Sequence, residues 1–217
     1  MFAVAPILLA CGCIGESVLA APTAPENSTL TVNPSGIASG TTTAQADSTV
    51  TSTYTAAAKT YYVSVLGSDS NDGLSMTAAF RTLQLAAAVT QPGDTVYVMN
   101  GTYTNSCAGC DVLDISTAGT QDRWITYKAY PGQNPIIRFN GWAGISFKPT
   151  AAYVEVSGFT VTGNNANVTM AEALAQSPAR HDPAFNGNCI AVDGRHSTRS
   201  TPPHHIRILD NVISECG

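Results

Sequence analysis

Most residues whose type and placement could do chemistry lie late in the chain. Asp193 and Asp210 follow or sit within short apolar runs, Ile190 to Val192 and Ile206 to Ile213. If those runs are strands of neighbouring repeats, the two carboxylates face one groove and could take a hard cation, since calcium is held by oxygen ligands. The competing reading is two corner aspartates in turns. Arg195 and Arg207 could hold carboxylate groups of a ligand by forked hydrogen bonds if they point outward, and otherwise they are solvated surface arginines. His204 and His205 begin a strand, where successive side chains point to opposite faces, which argues against joint metal ligation. Glu155, Asp193 and Asp210 establish no carboxylate pair at a glycosidase separation.

Two local motifs are weaker still. Asp69-Ser70-Asn71-Asp72-Gly73 has the look of a calcium loop but is one residue short of the spacing that puts Gly sixth and lacks the distal Glu, so a polar turn before a helix is expected. Cys107-Ala108-Gly109-Cys110 has redox spacing yet lies in a Gly- and Asn-containing loop after a strand rather than at a helix start. A structural bridge is the expectation. No second closely spaced Cys or His pair supplies a zinc site.

The elements that must position these residues are short strands: Tyr61 to Val65, Thr95 to Val98, Trp124 to Tyr130, Ile136 to Phe139, Ile145 to Phe147, Val154 to Val161, Ile190 to Val192 and Ile206 to Ile213. One helix is predicted over Ala79 to Val89, with Phe80, Leu83, Ala86 and Ala87 on one face and Pro92-Gly93 beyond its end. The strands repeat. Val154, Val156 and Val161 match Ile206, Ile208 and Ile213 at an offset of 52, and Ile125 matches Val154 at an offset of 29. The difference of 23 is the length of the polar stretch 165–187, read as an inserted loop. Short strands repeating coil by coil are the signature of a solenoid whose turns bury their inward side chains by stacking. An antiparallel sandwich would want two-residue Asn-Gly or Asp-Gly hairpins, and Asp72-Gly73, Asn100-Gly101 and Asp193-Gly194 are not so placed. The predicted fold class is all-β, a parallel β-helix entered by a short capping helix over residues 59–217.

Residues 1–20 are expected to be a signal peptide cut after Ala20, although no Lys or Arg precedes Lys59. Leu8-Leu9-Ala10-Cys11 offers the alternative of a lipoprotein box, with Cys11 acylated and the protein held on the outer surface. Residues 21–58 form a Thr-, Ser- and Ala-rich linker; 15 of residues 22–58 are Ser or Thr, too few apolar groups to offset ordering entropy. Of six cysteines four then remain, Cys107, Cys110, Cys189 and Cys216, and an exported protein would pair them in one of three connectivities. Ten Lys and Arg against 15 Asp and Glu, a net charge of -5, exclude a strongly basic nucleic-acid binder. No long apolar run follows the N-terminus, which excludes a multi-span membrane protein. A monomer is expected.

Five blocks occur in order: Tyr61-Tyr62-Val63-Ser64, Gly67 to Gly73, Ala79-Phe80-Arg81-Thr82-Leu83-Gln84, Pro92-Gly93-Asp94-Thr95-Val96-Tyr97-Val98 and Gly101-Thr102-Tyr103. This series resembles the N-terminal entry of secreted right-handed parallel β-helix proteins similar to pectate lyases of polysaccharide lyase family nine, over about Tyr61 to Gly217. The resemblance implies calcium-dependent β-elimination of an acidic polysaccharide such as pectate, with calcium acidifying the C5 proton and a basic side chain removing it. No position here matches the family's calcium-binding aspartates or catalytic lysine, so no catalytic residue is assigned. The chain is expected to be the beginning of a longer protein. The alternative is a non-catalytic, adhesin-type surface module that binds glycans along its strand faces.

Overall fold

A computed structural model describes residues 56–176, 182–194 and 202–217, all within the unit Thr53–Gly217. The expectations for residues 1–20, for Cys11, for most of the linker and for Arg195 lie outside the described residues, as does His181 in the insert.

The chain enters through β1 (Thr60–Val63) and α1 (Leu83–Val89) and then winds through coils that each contribute one strand to each of three sheets. Sheet A runs β1, β2 (Thr95–Val98), β5 (Ile125–Ala129), β8 (Ala152–Ser157) and β11 (His204–Leu209). Sheet B runs β3 (Thr102–Thr104), β6 (Ile136–Arg138), β9 (Thr160–Thr162) and β12 (Val212–Ser214), and sheet C runs β4 (Leu113–Ile115), β7 (Ala143–Phe147) and β10 (Asn188–Val192). Every pair of neighbouring strands is parallel. This is the all-β parallel β-helix predicted from the repeat, and it is right-handed, as parallel crossovers almost always are.

The register explains why alternation was enough to find it. Ile125, Val154 and Ile206 stand in line, as do Tyr61, Val96, Tyr127, Val156 and Ile208. Tyr103, Ile137, Val161 and Ile213 form the corresponding row in sheet B, and Leu113, Ile145 and Ile190 the one in sheet C. The offsets of 52 and 29 are therefore coil lengths. Each inward side chain of a strand stands on the same position one coil away, so pairing and burial come together. Tyr127 is fully enclosed, and its hydroxyl lies 2.9 Å from that of Thr90.

Two predicted strands are in fact strand pairs. Val154 to Val161 breaks at Gly158, whose φ of 79° makes the corner between β8 and β9, and Ile206 to Ile213 breaks at Asp210, φ 52°. Side chains in that left-handed region are disfavoured, and Asp is among the few that tolerate it. Asn211 completes the second corner by joining the coil below, accepting from Phe159 N–H and donating to Val156 C=O.

The entry helix starts later than its apolar periodicity suggests. Asp69 Oδ1 accepts from the backbone N–H of Arg81 and Thr82, and Oδ2 accepts from Thr82 Oγ1, while Thr82 Oγ1 caps the helix at Leu85 N–H. These bonds hold Thr82 extended, and Phe80 instead bridges to Val63 and is buried. The Asp69-to-Gly73 segment is thus a polar turn that latches the cap: Asp72 accepts from Leu74 N–H and Asn71 donates to Ala79 C=O. Gln84 on α1 accepts from Asp114 N–H and donates to Asp114 C=O, pairing the otherwise open edge of β4.

Between β9 and β10 the chain carries a 3-10 turn at Asn165–Asn167 and a short helix, α2 (Met170–Gln176), where the preceding coil crosses from β6 to β7 in four residues. A capping box starts α2: Glu172 accepts from Thr169 N–H, and Thr169 Oγ1 accepts from Glu172 N–H. Cys107 pairs with Cys110, and Cys189 in β10 pairs with Cys216 beyond β12, so the second bridge closes one whole coil. All four cysteines among the described residues are thus paired.

Candidate functional site

The outer face of sheet A carries two rows along the stack, one coil apart at about 4.8 Å. One is Thr60, Thr95, Thr126, Glu155 and Arg207; the other is Tyr62, Tyr97, Lys128, Ser157 and Leu209. Pairs in register make these rows unavoidable once the inward rows are set. Tyr62 stacks on Tyr97 at 6.0 Å, Tyr130 meets Tyr97 edge-on at 5.5 Å, and Lys128 Nζ lies 5.0 Å from the Tyr97 ring centre.

Arg207 stands on the same face. Its guanidinium carbon is 3.8 Å from the Trp124 ring centre, and Nη1 is 3.6 Å from Glu155 Oε2. Its side chain is 54% exposed, so the long, solvated ion pair holds it weakly, while stacking on Trp124 fixes the plane of the fork. The rest of the side chain is left to solvent.

The two histidines do not point to opposite faces as strand alternation requires. His205 adopts φ 54°, which swings its ring beside that of His204, with the two Nδ1 atoms 2.7 Å apart. Tyr153, the matching position one coil below, has the same left-handed backbone, φ 51°. A left-handed residue inside a strand re-aims its side chain, as bulged strands do. Repeated on adjacent coils, the twist stacks His205 on Tyr153 at 4.4 Å with 14° between the planes, and Trp124 closes against Tyr153 edge-on at 5.6 Å. Trp124, Tyr153, His204, His205 and Arg207 thereby form one cluster that strand periodicity alone did not find.

Asp193 and Asp210 follow strands of different sheets. Asp193 follows β10 in sheet C, its N–H donating to Phe147 C=O, whereas Asp210 makes the exposed corner after β11 in sheet A. Among the described residues no group of three or more His, Cys, Asp or Glu could hold a metal ion. The residues described here do not fit the calcium centre that the sequence resemblance implies.

A second polar cluster lies away from sheet A, where sheets B and C meet. Lys148 Nζ is 2.7 Å from Asp111 Oδ2 and 2.8 Å from Asp114 Oδ1. Burial and the neighbouring Asp111 raise the pKa of Asp114 against the pull of Lys148. Partial burial opposes the Lys148 charge, but the two carboxylates outweigh it and raise its pKa. Burial also raises the phenols of Tyr103 and Tyr127. In these three basic-range groups the folded chain keeps protons that the unfolded chain gives up above about pH 10. Their contribution to stability is fully present below that pH and lost as the pH climbs through the raised values. Urea midpoints should therefore fall steeply above about pH 10, and Tyr103→Phe should flatten the fall. A midpoint that stays level from neutral pH into that range would contradict this.

The profile of a family described as Pel9A-like, right handed beta helix region matches residues 61–194. The chain belongs to that family. An uncharacterized protein of Bacillus subtilis, YwoF, is 30% identical over 160 residues, which is 71% of this chain and 30% of YwoF. A lacto-N-biosidase of Eubacterium ramulus superposes with a TM-score of 0.54 at 20% identity, over 73% of this chain and 27% of that protein. A rhamnogalacturonan lyase aligns at 22% identity and a TM-score of 0.47, over 72% of this chain and 37% of that protein. The chain thus spans about a third or less of the length of YwoF and the lacto-N-biosidase. For this Pel9A-like chain the structural likenesses speak to fold. No helix among the described residues is long and apolar enough to cross a membrane.

Proposed function

We propose that the Pel9A-like chain is part of a secreted, carbohydrate-active protein whose sheet A face binds an acidic polysaccharide of the pectate type. The observation that carries this is Arg207, with its guanidinium plane braced on Trp124, the rest of the side chain left to solvent, and rows of hydroxyl and aromatic side chains leading away from it. A guanidinium edge matches a uronate carboxylate with two parallel hydrogen bonds. Lys128 adds a second positive charge on the same face, and the threonine row offers donors and acceptors for sugar hydroxyls. The two disulfides support an oxidising, extracellular setting. Both the lacto-N-biosidase and the family name are consistent with saccharide ligands.

β-Elimination would remove the proton at C5 of a uronate and expel the oxygen at C4, leaving an unsaturated end. No side chain of the described residues is assigned as the base, so this chain's role is to bind and align the polymer. Calorimetric titration with polygalacturonate tests the reading. Binding that weakens with added salt, and for which a neutral galactan does not compete, is expected. Full competition by the galactan, or no binding of the charged polymer, would refute it. Release of unsaturated uronides by a longer form of the protein separates a lyase from a glycan-binding surface module.

A further inference from the structure

We propose that the cleft over the junction of sheets B and C is a second saccharide site, one for a neutral pyranose. It is independent of the sheet A face. The cleft has a volume of about 770 Å³, with Gln84 of α1 on one wall, Asn105 and the Cys107–Cys110 loop on another, and Lys148 between Asp111 and Asp114 at its floor.

Four observations point to a ligand of this kind. Trp142 lines the cleft and stays 41% exposed, although Ala143 to Phe147, which follow it, are all buried. Its indole nitrogen lies 3.7 Å from where a Cβ on Gly109 would stand, so the ring sits edge-on beside the disulfide loop. A fixed aromatic face is a platform for the apolar C–H side of a sugar ring. The Asp111 side chain is only 8% exposed, yet its Oδ1 is buried without a hydrogen-bond partner. Such an orphaned acceptor costs free energy that a ligand hydroxyl would recover. Lys148 and the two carboxylates together present both donors and acceptors, which suits hydroxyl groups that do both. Gln84 clamps Asp114 through both its backbone groups, so the floor is fixed in place before any ligand arrives.

Charge selects the class. Lys148 and Arg81, which lines the same cleft, offset Asp111 and Asp114, so no net positive charge draws a uronate and a neutral sugar is unopposed. The two sites therefore differ in charge: Arg207 and Lys128 favour acidic residues, and the balanced cleft favours uncharged ones.

The test uses the full 217-residue chain labelled with nitrogen-15 and titrated with β-1,4-galactobiose, cellobiose and mannobiose, with digalacturonate as the charged control. Of the two indole N–H signals, that of Trp124 is the internal reference for the neutral sugars, because its Nε1 donates to Gln121 C=O outside the cleft, and with digalacturonate it reports the sheet A face. At least one neutral disaccharide should shift the Trp142 signal saturably and more tightly than digalacturonate. Trp142→Ala and Asp114→Asn should each weaken that binding at least tenfold and leave polygalacturonate binding unchanged; in the alanine variant the amides of Asn105 and Asp111 supply the readout. Trp142→Phe, which keeps an aromatic face, should restore most of it and guards against a folding defect in the alanine variant. No shift with any of the three neutral sugars, tighter binding of digalacturonate at the cleft, or binding indifferent to both substitutions would overturn the proposal. Failure of polygalacturonate to bind would count against the sheet A reading alone.

Discussion

Arg207→Ala should weaken binding of polygalacturonate by about 10- to 100-fold, because a charge-assisted, two-pronged contact contributes about 1.5–3 kcal/mol and each 1.4 kcal/mol is a factor of ten. Arg207→Lys should fall between the two. It keeps the charge but loses both the planar stack on Trp124 and the fork. Stability should hardly move in either variant, since the side chain is exposed and its ion pair to Glu155 is long. Trp124→Leu offers a cross-check: it leaves Arg207 in place but unbraced, and the loss should appear as faster dissociation more than slower association. Unchanged affinity in Arg207→Ala would remove the Arg207 cluster from the binding face.

Phe147→Ala should cost about 3–5 kcal/mol of stability, the range for deleting a fully buried aromatic side chain. Phe147 is completely enclosed in β7 and lies in register between Ile115 below and Val192 above. The cavity would therefore open between two coils rather than inside one. Phe147→Leu, closer in volume, should lose less than half as much. Urea unfolding with an unchanged slope and a shifted midpoint is the measurement. A loss below about 1 kcal/mol would mean that neighbouring coils settle into the gap, and that the stack is softer than close-packed interiors are.

How much of this was legible in the sequence depends on how far apart the interacting residues lie. The inward rows were readable because alternation fixes the face and the repeat fixes the partner, as Val154 and Ile206 show. The insert between β9 and β10 was visible for the same reason, as a change in coil length. The start of α1 was not, because the groups that stop it belong to Asp69, twelve and thirteen residues earlier. The histidine pair was misread because strand alternation assumes an extended backbone at every residue, and His205 breaks it.

The Asp111, Asp114 and Lys148 cluster was invisible for a further reason. Lys148 is 37 residues from Asp111, and β4, only three residues with Asp114 in the middle, carries too weak an alternation to be recognised as a strand. Placing Asp114 opposite Ser146 would have brought Lys148 within reach. The lesson is specific to coiled stacks: polar residues on the outside become legible only after the register of the inside is known.

The bridge from Cys189 to Cys216 gives the last described coil a property that the coils beneath it lack. Those coils are open spirals, and a spiral can be paid out from an end one strand at a time, each step exposing only a little surface. A coil tied to itself is a hoop. While the bond holds, it cannot be unwound from Cys216 one strand at a time.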